Sequence, residues 1–138
     1  IAMCYPHVYV APVNIGYNKE QYLKAIKEAS LHNGPSLIIA YSPCIEHGIK
    51  TGMQHSQSNG YLATKCGYFL TFRYNPDTKK FSLDSKEPEF DKYEDYLMTE
   101  NRFASLVRKD KERARLLLEE QKQWAIDRYN YYKKISEE

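Results

Sequence analysis

The chain has 138 residues, 42% of them hydrophobic and 28% charged, and carries a formal net charge of +2 with an isoelectric point near 8.4. This composition excludes an intrinsically disordered segment, and so small a charge excess gives no strong pull toward nucleic acid or an anionic membrane surface. No apolar run reaches the roughly 18 residues of a membrane span, and no stretch has the layout of a signal peptide. The three cysteines are odd in number and widely spaced, which excludes a disulfide framework and predicts a reduced, intracellular setting. The length suits one domain or a piece of a larger one. The opening Ile1-Ala2-Met3 leads almost at once into a strand pattern and reads as the cut end of a longer chain.

In chain order, His7-Val8-Tyr9-Val10-Ala11-Pro12-Val13 is rich in β-branched and aromatic residues without polar alternation, the pattern of a strand buried on both faces. Gly16 supplies a turn. Asn18 is the expected N-cap of a helix with Gln21 at its third position, and Tyr22, Leu23, Ile26 and Ala29 form its expected apolar stripe. Asn33-Gly34-Pro35 predicts a left-handed residue and a helix stop together. Residues 36–41 are a second buried strand, so the opening is one parallel βαβ unit. A loop, a weaker helix over 53–66 closed by Gly67, and a third strand over 68–74 follow, ended by the turn Asn75-Pro76-Asp77. Lys65, Arg73, Lys79 and Lys80 are expected to lie on a solvated surface.

The character of the chain changes near Lys79. Residues 81–88 are too short and too polar for a central strand and read as an extended surface excursion. Residues 91–100 and 101–107 have helical spacing. Residues 109–136 predict one long helix with Leu117, Leu118, Trp124, Ala125, Tyr131, Tyr132 and Ile135 on a shared face and an Arg115–Glu119 pair on the solvent side. The predicted fold class is therefore α/β: half of a parallel open sheet, about three strands with crossover helices (1–78), followed by an extended segment and a helical tail (79–138) that docks on the same domain or on a partner subunit.

The most specific chemical feature is the end of the second strand, where Ser42-Pro43 is followed directly by Cys44. In open α/β sheets ligands bind outside the carboxyl ends of the strands. Cys44 has three readings: a packed core thiol, a reactive thiol partnered by His47, or a ligand to a cluster or metal. A cubane iron–sulfur cluster takes four thiolates. Cys4 lies at the opposite end of its strand and Cys66 ends a helix, so neither is expected to reach Cys44, and the chain by itself does not assemble such a cluster. The Cys44-x-x-His47 pair resembles half of a zinc site but lacks a second pair. His7, His32 and His55 read as ordinary surface or strand-end residues. Dinucleotide, P-loop, zincin and nucleophile-elbow motifs are absent from the sequence. Spacing leaves all three readings of Cys44 open.

The string Gly34-Pro35-Ser36-Leu37-Ile38-Ile39-Ala40-Tyr41-Ser42-Pro43-Cys44-Ile45-Glu46-His47-Gly48-Ile49 resembles the final domain of the single-chain pyruvate:ferredoxin (flavodoxin) oxidoreductases. His7-Val8-Tyr9-Val10-Ala11, Gly16-Tyr17-Asn18-Lys19-Glu20-Gln21, Gly67-Tyr68 through Arg73-Tyr74-Asn75-Pro76, Leu83-Asp84-Ser85-Lys86-Glu87-Pro88 and Tyr96-Leu97-Met98-Thr99-Glu100-Asn101-Arg102-Phe103-Ala104 continue it in one register. The resemblance implies the C-terminal part of a thiamine-diphosphate-binding domain. It implies an enzyme that binds thiamine diphosphate and Mg²⁺ and oxidatively decarboxylates pyruvate with CoA to acetyl-CoA and CO2. Electrons would pass through 4Fe–4S clusters to ferredoxin or flavodoxin. Cys44 would be the last of four thiolates on the cluster nearest the thiamine, with Glu46 and His47 beside it tuning exposure and potential. The other three ligands and the diphosphate and magnesium motif lie upstream of the matching region in the family, so no catalytic residue is assigned here and the chain by itself is expected to be inactive and cofactor-free.

The implied partners are the remainder of the same polypeptide, a second copy in a homodimer, and the electron carrier, with no nucleic acid and no membrane. The implied location is the cytoplasm or an anaerobic organelle matrix. Phe69-Leu70-Thr71 stands where the family commonly has Trp-Pro, and Cys4 and Cys66 match no ligand position. A related 2-oxoacid or NADP-linked oxidoreductase, or a cofactor-free structural module, are the alternatives. Residues 83–88 and the long tail are expected to favour the single-chain pyruvate type. Without its upstream strands the sheet is expected to present an open edge.

Overall fold

The computed structural model describes residues 1–44 and 48–137. Its elements are β1 (Tyr9–Val13), α1 (Lys19–Leu31), β2 (Ser36–Ala40), α2 (Ser56–Lys65), β3 (Phe72–Asn75), β4 (Lys80–Leu83), α3 (Tyr93–Thr99), α4 (Asn101–Lys109) and α5 (Lys111–Glu137). The fold is α/β, an open four-stranded sheet in the order β2-β1-β3-β4 with a long C-terminal helix.

β1 and β2 run parallel, Tyr9 opposite Ser36 through Val13 opposite Ala40, as expected for the βαβ opening. The rest of the sheet is antiparallel: β3 pairs with β1 through Val10 and Tyr74, and β4 returns along β3. The sheet is thus mixed, because α2 does not act as a parallel crossover. Residues 67–69 are held outside the ladder: Phe69 N–H bonds the Ala63 carbonyl at 3.0 Å, and Arg128 Nη2 bonds the Gly67 and Tyr68 carbonyls at 2.9 and 2.8 Å. The third strand consequently starts at Phe72 rather than at residue 68. It leads straight into a hairpin whose turn is built by Asn75 Oδ1, which accepts from the Asp77 and Thr78 amides. Residues 81–83, the start of the 81–88 stretch read from sequence as a surface excursion, lie instead in β4, the edge strand of that hairpin.

Successive residues of β1 face opposite sides of the sheet. Tyr9, Ala11 and Val13 pack with Ala25, Tyr22 and Ala29 of α1; Val10 packs with Phe72 and Phe81 beneath Tyr132 and Ile135 of α5. A third cluster joins α2, α3 and α5 around Ala63, Cys66, Tyr93, Tyr96, Leu97 and Ala125.

Asn18 caps α1 as expected, its side chain accepting from the Gln21 amide at 3.0 Å. The expected stripe is corrected: Leu23 and Ile26 are exposed, and Gln21 and Ala25 are the buried pair. The helix turns this way because alanines let it lie close to β1, while Gln21 Nε2 reaches the Pro12 carbonyl and Asp84 Oδ2. Its end also differs. His32 is extended, and neither Asn33 nor Gly34 has a positive φ.

A histidine clamp replaces the left-handed stop. His32 Nδ1 faces Asp77 Oδ2 at 3.1 Å and Nε2 faces the His7 carbonyl at 3.0 Å. Both ring nitrogens meet acceptors, so only the imidazolium satisfies both. The His7 carbonyl first, and Asp77 after it, hold the His32 pKa above its usual value against the opposing effect of burial. The clamp's stabilisation is therefore full below the unfolded histidine pKa of about 6.5 and is lost as pH rises through the higher folded value. Denaturation midpoints measured across neutral and mildly alkaline pH should fall with rising pH, and His32→Gln should flatten that fall.

β2 lies at the sheet edge and is mostly exposed rather than buried, with Leu37 and Ile39 at 41% and 42%. Its apolar composition is that of an inner strand, but the described residues cover only one side of it. No described helix is long and apolar enough to cross a membrane.

Candidate functional site

The site lies past the carboxyl end of β2. The Tyr41 amide bonds the Val13 carbonyl at 2.9 Å, extending the parallel ladder one residue beyond the strand. Ser42 and Pro43 then carry the chain off the sheet and leave Cys44 exposed. The sequence expectation placed Cys44 at this edge, and it is there. Exposure removes the packed-core reading for this chain. Cys66 does show that behaviour, since it is buried in the α2–α3–α5 cluster and burial pushes its thiol up to about 11. Glu46 and His47 lie outside the described residues.

Residues 48–50 are tied to Cys44 and to the junction of α3 and α4. The Gly48 amide bonds the Cys44 carbonyl at 3.1 Å, the Asn101 amide bonds the Gly48 carbonyl at 3.1 Å, and the Lys50 amide bonds the Thr99 carbonyl at 3.0 Å. Ile49 and Glu100 form a β-bridge. Gly48 has φ +61°, the left-handed region that favours glycine, and its Cα faces the Asn101 side-chain amide.

The strand end before Cys44 is tied to the same junction of α3 and α4. Tyr41 and Tyr96 share a short hydroxyl–hydroxyl hydrogen bond. The Tyr96 hydroxyl donates to Glu100 Oε1 at 3.0 Å, so the Tyr41 hydroxyl is the donor in the tyrosine pair. Burial pushes Tyr41 up to about 12 and raises Tyr96 further, keeping both phenols protonated near neutral pH. Glu100 is 4% exposed. Its second oxygen accepts from Arg102 Nε at 2.6 Å, and Arg102 Nη2 donates to the Tyr68 hydroxyl at 3.1 Å. Tyr41, Cys44, Tyr68, Glu100 and Arg102 together line a cleft of about 110 Å³.

Among the described residues no group of three or more His, Cys, Asp or Glu side chains is placed to hold a metal ion. The donor chemistry fits one corner of a shared anionic cluster: a single exposed thiol lines one cleft with the Arg102 guanidinium and the Tyr68 hydroxyl. The array below Cys44 was not legible in the sequence. Tyr41 and Tyr96 are 55 positions apart, and Glu100 and Arg102 look like ordinary polar residues at a helix start.

No established family profile matches the chain. It is 42% identical over 141 residues to a pyruvate-flavodoxin oxidoreductase of Enterobacter agglomerans, a match that covers 99% of this chain and 12% of that protein. It is 42% identical over 142 residues to a pyruvate:ferredoxin oxidoreductase of Moorella thermoacetica, with the same two coverages. The chain is homologous to one segment of the pyruvate-flavodoxin and pyruvate:ferredoxin oxidoreductases. It spans only about an eighth of those relatives, since 12% of each is matched. A pyruvate dehydrogenase [NADP(+)] of Cryptosporidium parvum is also 38% identical over 151 residues, covering 99% of this chain and 8% of that protein.

Proposed function

We propose that this chain is a segment of a pyruvate oxidoreductase, in which Cys44 supplies one thiolate to a 4Fe–4S cluster shared with the remainder of the polypeptide. The observation that carries the reading is an exposed thiol just beyond the carboxyl end of a parallel strand, in a chain related along its whole length to these enzymes. When bound, the cluster supplies one-electron transfer away from the thiamine diphosphate site, whose cofactor and Mg²⁺ are held by other parts of the polypeptide. This chain's part is to hold Cys44 in place. β1 and β2 set the height of the loop, Tyr41 anchors its near end, and Gly48 and Ile49 anchor its far end to the α3–α4 junction. Glu46 and His47, two and three positions after Cys44 in the sequence, are assigned to tuning the cluster's exposure and potential.

The reaction of the whole enzyme is the oxidative decarboxylation of pyruvate with CoA to acetyl-CoA and CO2, with flavodoxin or ferredoxin receiving the electrons, in a cytoplasmic homodimer. In this reading the thiamine-fold half extends past residue 78 through β4, because β4 pairs with β3 in the one sheet, the residues after β4 form the docking segment, and the chain alone has no activity. The deciding experiment is Cys44→Ala in the full-length protein, reconstituted anaerobically with iron and sulfide and examined by electron paramagnetic resonance. One cluster signal should disappear, with about four irons lost per subunit. An unchanged set of signals rejects the ligand role and leaves a scaffold segment. The relative from Cryptosporidium parvum supports a second reading, in which the electrons pass on to NADP+; assaying ferredoxin, flavodoxin and NADP+ side by side separates the two.

A further inference from the structure

We infer that Arg102 sets the reduction potential of the cluster held through Cys44, acting as a fixed cationic donor on the wall of the same cleft. The inference rests on the ligand reading above and concerns a residue that reading does not need.

Arg102 is restrained on three sides. Its Nε bonds Glu100 at 2.6 Å, its Nη2 bonds Tyr68 at 3.1 Å, and its guanidinium lies 4.5 Å from the Phe103 ring centroid. The ion pair is lopsided: the Arg102 side chain is 38% exposed and that of Glu100 only 6%. Glu100 therefore sits behind as a buried counter-charge, its other oxygen taken by Tyr96, and the positive end of the pair is the one that reaches open space. Arg102 and Cys44 both line the 110 Å³ cleft. A guanidinium has five N–H donors, and the two bonds to Glu100 and Tyr68 use only part of that fork.

Adding an electron to an iron–sulfur cluster adds negative charge, so a nearby fixed cation and its N–H donors favour the reduced form and raise the potential. A salt bridge that only pinned α4 would serve equally well facing away from the cleft. The Glu100–Tyr96–Tyr41 chain ties this cation to the strand end that carries Cys44, so the charge is fixed to the same element as the thiol.

The test uses the full-length enzyme carrying Arg102→Gln, Arg102→Lys or Cys44→Ser, in anaerobic potentiometric titrations followed by electron paramagnetic resonance. Cys44→Ser marks which cluster signal belongs to this site. Arg102→Gln should shift the midpoint of that signal alone to more negative values with its spin intensity retained, and Arg102→Lys should recover part of the shift. Unchanged midpoints in Arg102→Gln, or a shift only in a different cluster, overturn the inference while the ligand reading stands. Loss of the cluster in Arg102→Gln with an unshifted midpoint in Arg102→Lys also overturns it and assigns Arg102 to holding the loop. If Cys44→Ser alters no signal, the ligand reading fails and the inference fails with it.

Discussion

Arg73→Ala should lower the stability of the chain by about 3 kcal/mol, the range expected when one partner of a buried ion pair is removed and the other is left uncompensated. Read from sequence as a solvated surface charge, Arg73 is instead the centre of a network between the sheet and α1. Its Nε and Nη2 bind both oxygens of Asp84 at 2.9 and 2.8 Å, and its Nη1 binds Glu28 at 2.7 Å. Tyr9 donates to the second Glu28 oxygen at 2.9 Å, and Gln21 donates to Asp84 at 3.0 Å. The Arg73 and Asp84 side chains are only 13% and 14% exposed. Without the guanidinium, two carboxylates face each other across a site with little water. Arg73→Lys should recover only part of the loss, because an ammonium does not reproduce the two-pronged grip on Asp84. Urea denaturation of the three proteins at one pH measures both effects.

The same network gives an acid signature. Burial acts to raise the Glu28 carboxyl, but the Arg73 and Tyr9 hydrogen bonds overcome it and hold the group below its usual range. A depressed carboxyl contributes stability that is present above its unfolded pKa of about 4.3 and is lost as pH falls through the folded value. Wild-type stability should therefore drop on acidification, and the Glu28 share of that drop should shrink in Arg73→Ala, which leaves only the Tyr9 hydrogen bond of the two.

Tyr132→Ala should cost about 3 kcal/mol by opening a cavity under α5, whereas Tyr131→Ala should cost less than about 1 kcal/mol. The Tyr132 ring meets Phe72 edge-on with centroids 5.0 Å apart and lies 5.5 Å from Phe81, closing the sheet face that carries Val10. Tyr131, one position away, is 60% exposed. The shared face expected from sequence put both on the core side, together with Leu117 and Trp124, which are 37% and 56% exposed. The docked face is instead Ala114, Leu118, Ala125, Tyr129, Tyr132 and Ile135. Paired denaturation curves of the two tyrosine variants distinguish these faces directly.

That comparison shows where sequence reasoning stops. α5 carries apolar residues around more than half its circumference, so periodicity alone admits several faces; the small side chains of Ala114 and Ala125 choose one by allowing close approach. The same holds for α1, where Ala25 and Ala29 lie against β1 while Leu23 and Ile26 point outward. Large apolar residues mark that a helix packs somewhere, but not which of them it buries: Leu23 and Ile26 are 66% and 41% exposed.

Local chemistry was legible in the sequence alone. The parallel strand–helix–strand opening, the Asn18 cap, the Asn75 turn and the position of Cys44 just past a strand all follow from interactions within a few residues or from strand composition. The likeness to the pyruvate oxidoreductases was equally a property of the residue string. Tertiary structure decided the antiparallel half of the sheet, the role of Arg73, and the array from Tyr41 through Tyr96 and Glu100 to Arg102. Each depends on bringing together residues far apart in the chain, and loop closure over such distances leaves no periodic or local trace to read. Cys44 was visible as a thiol at a strand end; only the fold shows that both ends of its loop are anchored to the junction of α3 and α4.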